Sequence, residues 1–381
     1  MKILFSSFNS TTLDCLKFLA EGQKIYTFLD KRAIDISIHS IEVIRVGYRS
    51  YWLSLIFHHL KLNIICPEYI SNSYDNLLRI DPNVMVVSDF YNFTFYQFLK
   101  YKKKHHGTRL YLWSETRRWP TFWLSRWLMY SFWWYFKRNI HHVEKVFVFT
   151  KEGKKFFNDN APEVNVEIIP APIDTTLFYP ATEKNWMPDQ KLRVLMNARF
   201  IPLKEHKTLF RAVKQLKEQK IDVQVSLIGR GGHLKEELME YAKELGISRQ
   251  LVLLDAVAPD ELRAVYLEHD VLVLPSNREA IGMVVPEAMA CGVPTITSKA
   301  VGANTYVEEG VTGFVFDTGN ANELADKLAK IAKPRVAQKM GEAAAKVIQE
   351  KYTKEILGER LLAALSTDAE RRVVSVGEKE E

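Results

Sequence analysis

Short runs of apolar and β-branched residues alternate along the whole chain with longer stretches in which apolar positions recur every three or four residues. In the first half the short runs read KILFSSF, KIYTFL, NVMVVSDF, TRLYLWSE and EKVFVFTKE, the last passing into a helix around residues 153–159. In the second half they read LRVLMNARF, DVQVSLIGR, LVLLDA, DVLVLPS and PTITS. Strands spaced by helical segments in this way build βαβ units on parallel sheets. The pattern predicts an α/β chain with two doubly wound sheets.

Between the halves lies IIPAPIDTTLFYPATEKNWMPDQK, residues 168–191, which has no sustained period. Proline fixes its own φ and biases the preceding residue away from helix, so this stretch is extended and marks the domain boundary. We expect an N-terminal domain over 1–170, a linker over 171–190, a C-terminal domain over 191–350 and a separate helix over 351–366. The tail, residues 367–381, is charged and poor in core residues and is expected to fray. A chain of 381 residues exceeds one core and suits two domains facing across a cleft.

The stretch SNREAIGMVVPEAMACGVPTIT, residues 276–297, sets Glu279 and Glu287 eight positions apart with Gly282 and Pro286 between them. On one continuous helix the acids would stand about 12 Å apart. Proline is favoured in a first helical turn, so the helix begins at residues 284–286 and runs through Ala290. Glu279 then lies in the loop and Glu287 in the first turn. A loop and a helix N-terminus at the carboxyl end of a parallel strand are where open α/β sheets bind ligands. Backbone amides around Gly282 and Met283 suit a phosphate. Carboxylates would repel that anion but accept hydrogen bonds from sugar hydroxyls, and a nucleotide sugar presents both groups. Complementing the helix dipole is the other role open to Glu287.

In NARFIPLKEHKTLF, residues 197–210, a strand ends at Arg199 and a loop with Lys204 leads into a helix. Two cations there can offset a diphosphate, each charge pair being worth roughly 4 kcal/mol at about 4 Å and an effective dielectric near 20, before desolvation. A solvated lysine loop is the alternative. LIGRGGHL, residues 227–234, places Gly229, Arg230 and two further glycines after a strand, a weaker signal because glycine pairs are common in such turns.

Arg199 with Lys204, then IGRGG, then VLVLPSNREAIGMVVPEAMACGVPTITS, then VEEGVTGFVFD at 307–317 occur in the order and spacing of retaining glycosyltransferases of the GT-B fold, family GT4. The chain resembles that family in its motifs over about 190–350, and in the N-terminal half by layout. The acids spaced E-x7-E, Glu279 to Glu287, are the most specific part. The resemblance implies that Arg199 and Lys204 bind the donor diphosphate, that Glu287 hydrogen-bonds the ribose and that Glu279 approaches the transferred sugar. Ile281, Gly282, Met283 and Val284, with Gly229 and Arg230, would complete the donor site. It implies a UDP- or GDP-linked sugar as substrate, no cofactor, no metal, and a last helix returning to the N-terminal domain.

The N-terminal half departs from the family pattern. SSFNS lacks the usual glycine pair, and VVSDFYN and YLWSET stand where a histidine is common. VGANTYVEEG carries Ala303 and Tyr306 in place of a glycine and an acid. Asp89 and Glu115, at those strand ends, are the candidate substitutes for catalysis or acceptor binding; helix capping is the alternative for each.

Net charge is only +6, but it is unevenly placed. Residues 100–138 hold ten Lys or Arg, a single acid, Glu115, and six of the eight tryptophans. Trp119, Trp123 and Trp127 recur every four residues, as on one helix face. Arg126 in the middle makes a membrane span costly. A helix in the headgroup plane accommodates both features, giving an anionic membrane surface as partner; a buried domain helix is the alternative. Nucleic acid is not expected, since nothing else in the chain supports it.

Cys15, Cys66 and Cys291 form no CxxC pair, so neither a zinc site nor a disulfide framework is expected, in keeping with a cytoplasmic setting. MKILFSSFNS is too short in apolar residues for a signal peptide and reads as a first strand. The combined expectation is a metal-independent hexosyltransferase on the inner face of the cell membrane. It would move a sugar, with retention, to a hydroxyl of a lipid-linked saccharide in cell-surface polysaccharide or lipopolysaccharide synthesis. A nucleotide-sugar epimerase of the same fold and a non-catalytic nucleotide-binding scaffold are the alternatives. Oligomeric state is not addressed by the sequence.

Overall fold

The computed structural model describes residues 1–6, 24–30, 41–46, 73–116, 118–120, 123–229, 231–255 and 257–366. In the N-terminal half the strands are β1 Lys2–Phe5, β2 Lys24–Asp30, β3 Ile41–Val46, β4 Val84–Ser88, β5 Arg109–Ser114, β6 Lys145–Val148 and β7 Val166–Ile168. They form one parallel sheet in the order β3-β2-β1-β4-β5-β6-β7. In the second half β8 Leu192–Asn197, β9 Val223–Ile228, β10 Leu251–Leu254, β11 Val271–Leu274, β12 Thr295–Ser298 and β13 Gly313–Phe316 form a parallel sheet in the order β10-β9-β8-β11-β12-β13. The two doubly wound sheets expected from the pattern are both present. Parallel sheets are covered on both faces, which is why β4 and β11 read as unbroken apolar runs: Val84 to Val87 and Val271 to Val273 are fully buried.

The described helices are α1 Ser73–Ile80, α2 Phe93–Lys104, α3 Trp123–Arg138, α4 Lys151–Asn160, α5 His206–Glu218, α6 Lys235–Glu244, α7 Leu262–Leu267, α8 Val284–Ala290, α9 Ala321–Ile331, α10 Pro334–Lys351 and α11 Lys354–Leu365. The chain divides into an N-terminal unit, Met1–Pro172 with the segment from Lys354 onward, and a C-terminal unit, Ile173–Thr353. Inside the first, Arg109 Nη1 donates to the Leu365 carbonyl at 2.6 Å and Arg360 Nη2 to that of Ile168 at 3.1 Å, tying α11 to the edge of the seven-stranded sheet.

The stretch expected as a linker over 171–190 is, from Ile173, part of the C-terminal unit. Phe178 and Met187 are buried in that core. Asp270, fully buried, explains the attachment. Its carboxylate accepts from Arg193 Nε at 3.0 Å, Arg193 Nη2 at 2.8 Å, the Arg193 amide at 2.9 Å and the Met187 amide at 3.1 Å. A buried charge needs that full set of donors, and the proline-rich segment supplies one of them.

The aromatic stripe is divided differently from its reading as one helix face. α3 begins at Trp123, so Trp119 precedes it and packs inward, stacking on Tyr130 at 4.3 Å and meeting Trp133 and Phe156 edge-on. Met129, Phe132, Trp133 and Phe136 bury the inner face, whereas Trp123, Trp127, Tyr130 and Trp134 stand exposed on the outer one. Among the described residues no helix is long and apolar enough to cross a membrane.

Truncating Asp270 leaves the Arg193 guanidinium without its partner. We expect Asp270→Ala to cost the C-terminal unit about 3–5 kcal/mol, read as a lower urea midpoint for the transition that reports on that unit.

Candidate functional site

The strand order of the C-terminal sheet reverses between β8 and β11, and open α/β sheets bind ligands beyond the carboxyl ends of the strands at such a reversal. β8 runs into Ala198 and Arg199, then a 3-10 turn over Pro202–Lys204, then α5. β11 runs into the 276–283 loop and then α8. The two segments are cross-linked. Lys204 Nζ is ion-paired with Glu279 Oε2, both side chains being mostly buried. The Asn277 amide donates to the Leu203 carbonyl at 2.9 Å, and Asn277 Nδ2 to Glu205 Oε1 at 3.1 Å. Arg199 is exposed and, among the described residues, has no carboxylate within 4 Å.

The Glu279 segment bridges Val301: its amide donates to the Ala300 carbonyl, and its own carbonyl accepts from the Gly302 amide, both at 3.2 Å. Gly282 then turns the chain with φ +85°, where a Cβ would stand 2.9 Å from Leu274 Cδ2 and 3.1 Å from Glu279 Cγ. Only glycine meets both conditions. α8 starts at Val284 with no side-chain cap, leaving Ile281, Met283 and Val284 half-buried around its first turn.

Glu287 lies in that first turn, as the proline predicted, and Tyr266 of α7 donates its hydroxyl to Glu287 Oε2 at 2.7 Å. Burial raises the Glu287 carboxyl above its ordinary range against that hydrogen bond, and raises the Tyr266 phenol as well. The side chain of Asn197, the last residue of β8, partly offsets that rise at Tyr266. Glu287 is thereby held from below while its residue stays partly exposed.

The glycines after β9 have a packing reason of their own. A Cβ on Gly229 would stand 2.3 Å from the Ala198 carbonyl oxygen, and one on Gly232 2.2 Å from that of Phe200. They let this turn lie against the segment after β8, where the Phe200 amide donates to the Gly231 carbonyl at 3.1 Å. Arg230 lies outside the described residues. His206, buried and stacked on Phe200 at 5.2 Å, is pushed down to about 4 by burial and by Lys204, so it stays neutral there.

Asp89 and Glu115 belong to the N-terminal unit. Asp89 follows β4, beside the β1/β4 reversal, with φ +50°. Its buried carboxyl accepts from the Ser114 hydroxyl, from Tyr91 at 2.8 Å and from Thr116 at 3.4 Å. Burial wins over these hydrogen bonds, helped by the charge of Glu115, and the carboxyl is raised to about 7. Glu115 itself is exposed. Asp89 does not take the cap position of the helix that follows it, since α2 begins after Asn92. Of the SSFNS loop only Ser6 is described, its hydroxyl accepting from the Ser88 amide at 2.8 Å. Ala303 and Tyr306, which replace a glycine and an acid of the family pattern, are core residues, with Tyr306 edge-on to Tyr352 at 4.9 Å.

The C-terminal unit thus brings Arg199, Lys204, Glu279, Gly282, Met283, Val284 and Glu287 to one reversal, with Gly229 at the end of the adjacent strand. Sequence reading missed the supports: Tyr266, Asn197, Glu205, Asn277, and Ser276, whose fully buried hydroxyl oxygen has no hydrogen-bond partner. Each is an ordinary polar residue whose importance arises only when distant segments meet, though Ser276 and Asn277 directly precede the loop that was read. Among the described residues no group of three or more His, Cys, Asp or Glu is placed to hold a metal ion.

A doubly wound unit with cations and carboxylates at its strand-order reversal has the layout in which open α/β domains seat ligands. Residues 181–347, within the C-terminal unit, match the family model described as Glycosyl transferases group 1. The chain is 28% identical over 241 residues to a GDP-mannose-dependent alpha-(1-6)-phosphatidylinositol monomannoside mannosyltransferase of Mycolicibacterium smegmatis, covering 59% of this chain and 63% of the relative. It is 31% identical over 180 residues to a D-inositol 3-phosphate glycosyltransferase of Corynebacterium jeikeium, covering 44% and 43%. The chain therefore spans less than two thirds of these curated relatives. Its fold is that of a sucrose-phosphate synthase from Thermosynechococcus elongatus, with a TM-score of 0.70 at 17% identity over 99% of this chain and 100% of the other.

Asp89 gives the N-terminal unit a distinctive pH response. The folded carboxyl keeps its proton up to about pH 7, whereas an ordinary aspartate, near 3.8, has released it, so the folded state binds more protons in that window. Stability then falls as pH rises through it, by up to about 1.4 kcal/mol per pH unit. We expect Asp89→Asn to flatten this slope in urea titrations at stepped pH; a slope that survives the substitution arises elsewhere.

Proposed function

We propose that the protein is a retaining, metal-independent glycosyltransferase that moves a hexosyl group from a UDP- or GDP-linked sugar to a hydroxyl of a lipid-linked saccharide. The observation carrying this reading is the Lys204–Glu279 ion pair at the β8/β11 reversal, with exposed Arg199 at the end of β8 and, among the described residues, no carboxylate within 4 Å of it. A diphosphate arriving there meets Arg199 directly and competes with Glu279 for the Lys204 ammonium. Binding of the donor then releases Glu279 toward the transferred sugar, whose hydroxyls can donate hydrogen bonds to it. The amides of Met283 and Val284 meet a phosphate, and Glu287, supported by Tyr266, accepts from the ribose hydroxyls. Ile281, Gly229 and Arg230 complete the donor site.

Fixed cations at the leaving group stabilise charge that develops as the glycosidic bond breaks, and they supply what a metal ion would otherwise provide. With retention, the acceptor attacks from the face the diphosphate leaves, and the leaving phosphate helps to take its proton, so no protein nucleophile is needed. Asp89 and Glu115 serve the acceptor side. A GDP-linked donor and a lipid saccharide acceptor are the substrates in the name of the Mycolicibacterium relative, which supports the same classes here. The exposed tryptophans of α3 and the cations of residues 100–138 support a position on the inner face of the cell membrane, in lipopolysaccharide or other surface polysaccharide synthesis.

Lys204→Ala and Arg199→Ala should each lower turnover about 10²- to 10³-fold in the folded protein, measured as nucleotide release that depends on lipid acceptor. Near-normal turnover in both variants removes their assigned role. Sugar conversion without acceptor indicates an epimerase instead, and nucleotide binding without turnover a scaffold. In flotation with anionic liposomes the protein should rise with the vesicles, and Trp123→Ser with Trp127→Ser should leave most of it behind; unaltered flotation removes the basis for membrane contact through α3.

A further inference from the structure

A second feature of the N-terminal unit involves none of the donor-site residues. α2 and α3 each lead from the carboxyl end of one parallel strand to the amino end of the next, so both run against the strands and parallel to each other. β4–α2–β5 and β5–α3–β6 step the same way across the sheet, and right-handed crossovers put both helices on one face. Their facing flanks are aromatic. Tyr96 stacks on Tyr135 at 4.2 Å, and Phe132 meets Phe93 at 5.6 Å and Tyr96 at 5.8 Å edge-on.

Over this contact opens a groove of about 570 Å³, lined mainly by Phe93, Tyr96, Gln97, Trp134 and Tyr135 with Ser131 at its edge. That volume lies in the range of ligand clefts, roughly 300–1,000 Å³. Two of its walls are unusually wet for their chemistry: Trp134 is 61% exposed and Phe93 46%.

Cations mark one end of the groove. Lys100 lies one helical turn beyond Tyr96 on α2, and Arg138 one turn beyond Trp134 on α3; because the helices are parallel, both fall at the same end. Lys100 Nζ sits 4.8 Å over the Tyr74 ring and the Arg138 guanidinium 5.1 Å over that of Trp134. Among the described residues neither cation has a carboxylate within 4 Å. An apolar slot with two cations one helical turn beyond its lining complements an anionic amphiphile.

We propose that this groove seats one hydrocarbon chain of an anionic lipid, with the lipid phosphate at the Lys100 and Arg138 end. The proposal rests on the membrane-contact reading and narrows it from a surface to a site for a single molecule. A flat bilayer covers the exposed face of α3, but only a chain drawn out of it fills a concave slot.

Dihexanoyl phosphatidic acid, kept monomeric and titrated into the full chain by calorimetry, tests this. Saturable binding is expected, weakened about tenfold by Ser131→Trp, which fills the slot from its exposed edge, and comparably by Lys100→Gln with Arg138→Gln. Glycerol phosphate, the headgroup without a chain, should show no saturable binding, while Ser131→Trp should still float with anionic vesicles through Trp123 and Trp127. Vesicle binding without monomer binding overturns the slot and leaves the membrane reading standing. Monomer binding unchanged by Ser131→Trp overturns the assignment, as does glycerol phosphate binding as tightly as the lipid.

Discussion

In the C-terminal sheet the crossovers from β8 and β11 leave in opposite directions, so the carboxyl ends of these two adjacent strands stay uncovered. That constraint decides where the charged residues of this unit can act. Arg199 and Lys204 follow one strand, Glu279 and Glu287 follow the other, and nothing in the linear chain other than this reversal brings them together. The glycines serve the same constraint. Gly229 and Gly232 let backbone pass within contact of Ala198 and Phe200, and Gly282 lets the second loop fold over Leu274. A side chain at any of these points would push the loops away from the strand ends that they must border.

The ion pair of Lys204 with Glu279 follows from how enclosed this place is. Side-chain exposures of 15% and 21% leave too little water to solvate either charge alone, so each serves as counterion to the other. Arg199 is exposed and needs no partner. The site therefore holds one cation that water already satisfies and one that any incoming anion must win from a carboxylate. Such an arrangement favours a ligand carrying both a strong anion for Lys204 and hydroxyl donors for the displaced acid.

Legibility in the sequence followed burial. Strands covered on both faces announced themselves as apolar runs, whereas β3, β7 and β13 went unread: IEVIRV carries Glu42 and Arg45, VEI has three residues, and GFVF follows a glycine turn. Pro286 correctly placed the start of α8. The linker did not read correctly, because proline content reports local backbone restriction and says nothing of Asp270, far along the chain, which draws Met187 and Arg193 into the core. Glu287 was found from its spacing, but Tyr266 beneath it was not, since a tyrosine in a short helix carries no local signal. The four-residue tryptophan period suggested a single face; the structure divides it because Trp119 lies before the helix begins.

Asp89 shows how the N-terminal unit departs from the pattern its layout suggests. Three hydroxyls donate to its carboxyl, which would ordinarily hold an acid in its ionised form, yet complete burial and the neighbouring Glu115 charge outweigh them. The result is a carboxyl that changes protonation near neutrality, the range in which a histidine would titrate, at the strand end where the family pattern has one. The resemblance lies in the titration range and not in charge: protonated, this group is neutral where an imidazole would be cationic, and deprotonated it is anionic where imidazole is neutral. On the proposed transfer, a carboxyl that is neutral when protonated suits orienting an acceptor hydroxyl through a hydrogen bond better than carrying a positive charge as an imidazolium does.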